Sequence, residues 1–296
     1  MNSDSFDFYE SSSLKSHNLD ESMRYQLSVL DSLDVFTRKH CENVANLTCR
    51  LCERLHLNRN FVVYCTICAY LHDIGKQHIP PEILQKPGKL TDEEYNIMKT
   101  HTTIGYEICM RDLKLRDYAA GPIYHHEALN GSGYPNGLSK NEIPLEGQII
   151  RVADEFDAIV SKRQYKSHIG ISDTLKILIE NANNGKNNSK VVNKLIKIII
   201  EDTEYEIYRT QGYVTDLQNN ITRLSTIDEY VSAFNQETNP ANKRYYQDMI
   251  QHSLRNGENM ENYKTLQKEY EKAYSDRKAI IDNLYNEIKI MKKLKA

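Results

Sequence analysis

Glycine and proline are scarce in this sequence, with 12 and 7 residues among 296, and tryptophan is absent. β-Sandwiches and barrels need many turns, which glycine and proline often form, so the composition indicates a mostly helical protein. Hydrophobic residues still make up 40% of the chain and charged residues 27%, which is typical of a chain with a folded core. The length leaves room for one large or two modest domains.

A strong excess of charge and a long apolar run are also missing. The net charge is −3 and the isoelectric point is near 6.4, which argues against partners held by bulk electrostatics, such as nucleic acid or a membrane surface. The longest apolar stretch, at residues 61–71, is too short to cross a bilayer. The polar, acidic beginning of the chain does not resemble a leader peptide, so we expect a cytoplasmic location.

Six cysteines are present, and four of them form two C-x-x-C pairs, Cys49 with Cys52 and Cys65 with Cys68. The spacing resembles that of a zinc ribbon. Both pairs, however, lie in helical patterns without the glycine or proline that would shape metal-binding turns. The sequence therefore predicts buried, reduced thiols that act as small core residues.

Three regions are expected along the chain: a flexible tail at 1–20, a helical domain at 21–200, and a helical, tyrosine-rich C-terminal region at 201–296. Thr91 begins a capping box that should open a helix running to about Met110, and Ser172 is a plausible N-cap. A 3-4 spacing of apolar residues over 263–294 fits either an amphipathic helix packed on its own chain or a short coiled coil that forms a homodimer.

Histidines carry the chemistry of this sequence, because five of the ten lie at predicted helix ends or beside carboxylates. Imidazole and carboxylate groups suit iron, manganese, nickel and zinc. A carboxylate next to a histidine at a helix end can use its two oxygens to bridge two ions, which would activate water and polarise a phosphoryl oxygen. The candidate residues are His40, His72, Asp73, His101, His125, His126 and Asp154.

Three motifs resemble those of the HD-GYP family of metal-dependent phosphodiesterases: LHDIGK at 71–76, HHEALNGSGYPNGL at 125–138 and VADEFDAIV at 152–160. The resemblance extends over about residues 34–200. It implies an all-α fold, an HD-type helical bundle with the HD-GYP extension. It also implies hydrolysis of a cyclic dinucleotide in bacterial second-messenger signalling, with cyclic di-GMP cut to pGpG, and leaves open cyclic GMP-AMP as substrate and a second cut to GMP.

The resemblance assigns a role to each matching position. Asp73 would bridge two divalent ions, iron or manganese, and Lys76 would stabilise the charge of the scissile phosphate. The GYP triplet would shape the substrate-side loop, and two basic residues after Asp154 would hold the ligand's phosphates and bases. The implied metal ligands are His40, His72, Asp73, His101, His125, His126 and Asp154; the implied substrate-binding residues are Lys76, Gly133, Tyr134, Pro135, Arg163 and Lys166.

Two departures from the family pattern change these expectations. Phe36 stands where some relatives carry a glutamate that supports a third metal, so two ions are expected, with His40 or His126 left without one and a dry wall at Phe36. The segment GKNNSKVVNKL at 185–195 matches only loosely. Two other functions stay open: a non-catalytic cyclic dinucleotide sensor, and another nucleotide phosphohydrolase of the HD superfamily.

Overall fold

The computed structural model describes residues 33–166, 170–255 and 257–296, with the backbone alone at 161–166. The described residues form α-helices and short 3₁₀ helices, without a β-strand. The α-helices are α1 (Val35–Arg54), α2 (Arg59–Leu71), α3 (Pro81–Leu84), α4 (Asp92–Lys99), α5 (His101–Arg111), α6 (Ala120–Tyr124), α7 (Leu145–Lys166), α8 (Ile171–Asn183), α9 (Ser189–Gln236), α10 (Pro240–Ser253) and α11 (Tyr263–Met291). The 3₁₀ helices are Ile74–His78, Arg116–Tyr118 and Lys140–Glu142.

The chain divides into two compact units, one of Met1–Ile200 with Ile290–Ala296 and one of Glu201–Lys289. In the first unit α1 packs against α2 and α7, and α6 packs against α2, α5 and α7. Fully buried apolar side chains fill the space between them, among them Leu47, Leu51, Leu71, Ile149, Ile150 and Phe156. This packing brings the end of α2, the start of α5 and the end of α6 close to α1 and α7.

The six cysteines belong to this core, because all six are buried and none forms a disulfide. Among the described residues, the groups that could hold a metal ion consist of histidine and aspartate and include no cysteine. The prediction of buried thiols is therefore confirmed, and the zinc-ribbon spacing has no structural counterpart.

Helix boundaries agree with the sequence in one place and differ in two. Thr91 caps α4 with the predicted capping box to Glu94. The predicted single helix to Met110 is wrong, because it ends at Lys99 and α5 begins at His101. At 100–102 three successive side chains donate hydrogen bonds to the carbonyl three residues earlier, and such bonds compete with the helix. Ser172 is also not an N-cap: Gly170 takes that place in extended backbone, and Ser172 is buried in the first turn of α8.

The second unit has its own small core. Leu224 and Ile227 of α9 pack with Ile250 of α10 and Tyr263 of α11, and Leu266 lies against this cluster. The apolar face of the first turns of α11 therefore packs within the chain. This agrees with the first alternative, an amphipathic helix packed on its own chain. A homodimer through this helix stays a prediction. Among the helices described, none combines the length and apolar character needed to span a bilayer.

Candidate metal centre

All seven predicted metal ligands come together in the first unit. Two follow the end of α2, one opens α5, two follow the end of α6, and α1 and α7 each add one from within the helix. Helix ends place adjacent residues where both can turn toward one point, which is why the histidine pairs lie there. In order, these residues are His72 and Asp73, His101, His125 and His126, His40 and Asp154.

Asp73 lies at the middle of this cluster, and its side chain is buried. Its Oδ1 lies 3.4 Å from Nε2 of His101 and 3.9 Å from Nε2 of His125. Its Oδ2 lies 3.3 Å from Nε2 of His72 and 3.6 Å from Nε2 of His40. Each oxygen of one carboxylate therefore faces a different set of imidazoles.

Three buried histidines have a fixed orientation, because the Nδ1 of each contacts a backbone carbonyl. His72 contacts the carbonyl of Ala69 at 2.7 Å, and His101 contacts that of Met98 at 2.6 Å. His125 lies 2.9 Å from the carbonyl oxygen of Pro122. A carbonyl only accepts hydrogen bonds, so Nδ1 carries the proton and the Nε2 lone pair points into the centre. Metal-ligating histidines in proteins are commonly oriented in this way.

The donor atoms fit divalent cations. Nε2 of His101 and Nε2 of His125 lie 3.2 Å apart, so two lone pairs face each other and repel unless a cation lies between them. Nε2 of His72 and Oδ1 of Asp73 are buried with no hydrogen-bond partner among the described residues. Two ligand atoms that each lie about 2.1 Å from one ion are about 3.0–4.2 Å from each other. The distances from the Asp73 oxygens to the imidazole nitrogens, and the distance between the His101 and His125 nitrogens, fall in this range. The residues form two groups that could hold an ion: His101, His125 and His126, and His40, His72 and Asp73.

The protonation states also suit metal ligands. Burial opposes ionisation of Asp73, but the charge of the Lys76 ammonium, 2.5 Å from Oδ2, outweighs burial and holds the pKa of the carboxyl well below its usual range. Burial lowers the pKa of His125 and lowers that of His126 to about 3. A ligand must be deprotonated to bind a metal, and these groups already are.

His40 is held differently from the other histidines. Burial lowers its pKa, but hydrogen bonds to Asp154 and Asp157 outweigh burial and raise the pKa to about 10. Its Nε2 lies 3.0 Å from Oδ1 of Asp154, and its Nδ1 lies 2.6 Å from Oδ2 of Asp157. Asn43 donates to the other oxygen of Asp157 at 3.1 Å. Asp157 therefore contacts His40 and supports its orientation.

Phe36 does not form the expected dry wall. Its side chain is 73% exposed at the first turn of α1, so it gives no apolar lining to the centre. A phenyl ring also offers no lone pair to a cation, and the expectation of two ions rests on that chemistry alone.

The GYP triplet lies against the metal centre. The ring of Tyr134 stacks on the imidazole of His126, with ring centroids 4.6 Å apart and planes 29° apart. Gly133 passes so close to the backbone of Glu127 and Ala128 that a Cβ would lie 2.3 Å from the Ala128 nitrogen. Pro135 follows in a cis peptide bond. The loop therefore contacts a predicted ligand directly, which the sequence did not indicate.

Two further residues hold the site together and were missed by the sequence reasoning. Glu127 is buried and accepts hydrogen bonds from the backbone of Asn136 at 2.7 Å and of Leu138 at 2.9 Å, which closes the GYP loop. Gly75 lies where a Cβ would be 2.0 Å from the carbonyl oxygen of His101. Both residues lie inside the motifs, where Glu127 directly follows His126 and Gly75 comes two residues after Asp73. These positions are the sequence signals that could have identified them.

Arg163 and Lys166, the two predicted ligand-holding residues beyond Asp154, belong to the last turns of α7. Their side chains lie outside the described part of the structure, so their roles stay predictions.

Comparison with known proteins identifies the family of the chain. The family described as HD domain matches residues 24–191, which is more than half of the chain. The helical fold contains a His–Asp cluster of a kind that could hold metal ions, and the chain belongs to the HD domain family. Divalent metal binding is a property of that family.

Curated relatives agree with the predicted resemblance to HD-GYP proteins. A cyclic di-GMP phosphodiesterase of Thermotoga maritima is 42% identical over 180 residues, which cover 60% of this chain and 48% of that protein. A 3′3′-cGAMP-specific phosphodiesterase of Vibrio cholerae is 33% identical over 173 residues, 57% of this chain and 39% of the other. This chain therefore matches less than half the length of each.

Among solved structures, Bd1817 of Bdellovibrio bacteriovorus, described as an HDG"Y"P protein, superposes with a TM-score of 0.47. Its sequence identity is 21%, over 58% of this chain and 56% of that one.

Proposed function

We propose that this protein is a metal-dependent phosphodiesterase that hydrolyses a cyclic dinucleotide, with cyclic di-GMP as substrate and pGpG as product. One observation carries the proposal: the two oxygens of Asp73 face two different sets of imidazoles. That arrangement is suited to two adjacent cations, and paired cations are the usual means of cleaving phosphate esters in proteins. The curated relatives, which are named as cyclic di-GMP and cGAMP phosphodiesterases, support the choice of substrate.

The predicted ligands fall into two sets, one for each ion. His101, His125 and His126 would hold one ion, and His72 would hold the other beside Asp154, with Asp73 between the two. His40 would join the second ion only by giving up the proton that its hydrogen bonds to Asp154 and Asp157 stabilise. When bound, divalent ions lower the pKa of a water and polarise a phosphoryl oxygen. The fixed Nδ1 contacts of the buried histidines would keep the ligand set rigid during the reaction.

Lys76 would contribute positive charge beside the substrate phosphate. Its ammonium forms an ion pair with Oδ2 of Asp73, and 22% of the side-chain surface is exposed. Burial alone would lower its pKa, but Asp73 outweighs burial and raises it, so the amine stays charged. A fixed cation next to developing negative charge stabilises a transition state.

Substrate recognition would come from the rim of the centre. Tyr134 covers His126 and has a second aromatic neighbour, Tyr95, with ring centroids 6.4 Å apart. Arg163 and Lys166 would hold the parts of the dinucleotide that do not react. We further propose iron or manganese as the ions, since imidazole and carboxylate donors suit both, and a cytoplasmic location, where cyclic dinucleotides act.

The test is turnover with defined metal. The full chain is purified anaerobically and loaded with Fe²⁺ or Mn²⁺, and cyclic di-GMP, 3′3′-cGAMP, cyclic di-AMP and a panel of mononucleotides are offered separately. Chromatography of the products should show pGpG from cyclic di-GMP, and Asp73→Asn should abolish it.

Two outcomes would contradict the proposal. Tight binding of cyclic di-GMP without turnover in the metal-loaded protein would make the chain a sensor. Hydrolysis of mononucleotides in preference to every cyclic dinucleotide would make it a different phosphohydrolase of the same superfamily.

A further inference from the structure

A partly buried polar network links α7 to the segment that carries His126. Arg151 of α7 donates from Nη1 to the carbonyl oxygen of His126 at 3.2 Å. Its Nε donates to Oδ1 of Asn187 at 2.8 Å. Asn187 lies in the turn before α9, and its side chain is only 3% exposed. The guanidinium therefore joins a buried amide to the backbone of a predicted ligand.

Glu155, one turn after Arg151, fixes the other end of this network. Its Oε2 accepts a hydrogen bond from Nδ2 of Asn187 at 2.6 Å, and its Oε1 accepts one from Nδ2 of Asn181. Asn187 is therefore held at both ends of its amide, with its oxygen directed at Arg151. Hydrogen bonds to charged groups are stronger than neutral ones, so this orientation of the amide is well determined.

The same turn also contacts the chain just beyond His126. The backbone nitrogen of Leu129 donates to the carbonyl of Lys186 at 3.0 Å. Nδ2 of Asn130 donates to the carbonyl of Asn184 at 3.1 Å. The turn at 184–187 therefore accepts two hydrogen bonds from the segment between His126 and the GYP triplet.

His126 needs such support more than the other buried histidines do. His72, His101 and His125 are each oriented by their own Nδ1 against a carbonyl of the preceding turn. His126 instead directs Nδ1 toward Oδ2 of Asp154, 3.9 Å away, and its imidazole is 25% exposed. The backbone of His126 and the stacked ring of Tyr134 therefore determine where this imidazole points.

We propose that Arg151, Asn187 and Glu155 are positioning residues that hold His126, and through it Tyr134, in register with the metal centre; this inference rests on the proposed function of that centre. Asn187 lies in the segment at 185–195 that matches the HD-GYP pattern only loosely. Asn187 therefore lies outside the motifs, whereas Glu155 belongs to the motif at 152–160 and Arg151 directly precedes it.

The experiment compares four variants of the full chain with the unchanged protein: Arg151→Ala, Arg151→Lys, Asn187→Ala and the control Arg116→Ala. Arg116 also donates to a backbone carbonyl, that of Met110, but its partner is not next to a predicted ligand. Each protein is stripped of metal and titrated with Mn²⁺ alone, the Kd of each bound ion is measured, and the comparison uses the ion whose affinity changes most. The kcat and KM for cyclic di-GMP are then measured at saturating Mn²⁺.

Arg151→Ala should weaken binding of that Mn²⁺ ion by about 10- to 100-fold, the usual loss when a group that orients a ligand is removed. Arg151→Lys should restore part of the affinity, because its ammonium can donate to the same carbonyl. Asn187→Ala should lie between them, and Arg116→Ala should bind Mn²⁺ as the unchanged protein does. Lower thermal stability with unchanged Mn²⁺ binding and kinetics in the Arg151 and Asn187 variants would overturn the proposal.

The design separates this inference from the proposed function. If Arg151→Ala does not fold, Mn²⁺ binding by Arg151→Lys and Asn187→Ala decides the question: weaker binding supports the inference and unchanged binding overturns it. If the unchanged protein hydrolyses no cyclic dinucleotide while its variants lose Mn²⁺ affinity, the proposed function fails and the positioning role stands. If the unchanged protein is active and the variants match it, the positioning role alone fails.

Discussion

Replacing Gly75 by alanine should disrupt the metal centre without replacing any predicted ligand. The added Cβ would lie 2.0 Å from the carbonyl oxygen of His101 and 2.7 Å from the backbone nitrogen of Gly105. Both atoms belong to the backbone of α5, so no side chain can swing aside. Reaching an ordinary contact of about 3.4 Å requires a shift of about 1.4 Å between α5 and the 3₁₀ helix that carries Gly75. That shift would move His101 relative to Asp73.

Overpacking of this kind costs about 1–3 kcal/mol, and a rigid backbone clash belongs at the upper end. In a domain of this size about 3 kcal/mol corresponds to a fall in Tm of about 6–12 °C. The assays are thermal unfolding of the metal-free protein and titration with Mn²⁺, which should bind more weakly. Gly212→Ala is the matched control: its Cβ would meet nothing within 4 Å in the middle of α9, so it should stabilise the helix by roughly 0.5–1 kcal/mol. An unchanged Tm and unchanged Mn²⁺ binding in Gly75→Ala would refute the packing argument.

Three other predictions follow from the site. Lys76→Ala should keep its bound metal and lose about 10²-fold or more in kcat, because its ammonium is a fixed charge rather than a ligand; loss of metal in a folded variant would refute this. Glu127→Gln should destabilise the protein by about 1–3 kcal/mol in urea unfolding, because an amide NH₂ replaces one of the two oxygens by which the buried Glu127 side chain accepts backbone N–H groups; an unchanged unfolding midpoint would contradict it. Arg163→Ala and Lys166→Ala should raise KM more than they lower kcat, since uniform binding appears mainly in KM; a fall in kcat at constant KM would count against that role.

The fold class and the clustering of the predicted metal ligands could be predicted from the sequence because both depend on local patterns. Apolar spacing located the helices, and the capping box at Thr91 marked the start of α4 correctly. The motif residues lie together because helix ends, which the motifs occupy, are where adjacent side chains can converge. Helix ends and caps can be predicted from the sequence because each depends on a few neighbouring residues.

The features that the sequence did not reveal depend on contacts between distant segments. The stacking of Tyr134 on His126 and the closure of the loop by Glu127 appear only when the chain is folded. Phe36 was expected to line the centre, yet its position on α1 leaves it exposed. The link from Arg151 to Asn187 joins residues 36 positions apart, and no periodicity or motif connects them.

The central claim is that Asp73 joins two cation sites, and counting bound metal tests it most directly. The full chain and Asp73→Asn are reconstituted anaerobically with Mn²⁺, freed of excess metal, and analysed for metal per folded chain. The unchanged protein should hold two ions, and Asp73→Asn should retain fewer, because a side-chain amide cannot supply two anionic oxygens to two cations. One ion per chain in the unchanged protein, or two retained in the variant, would contradict the account.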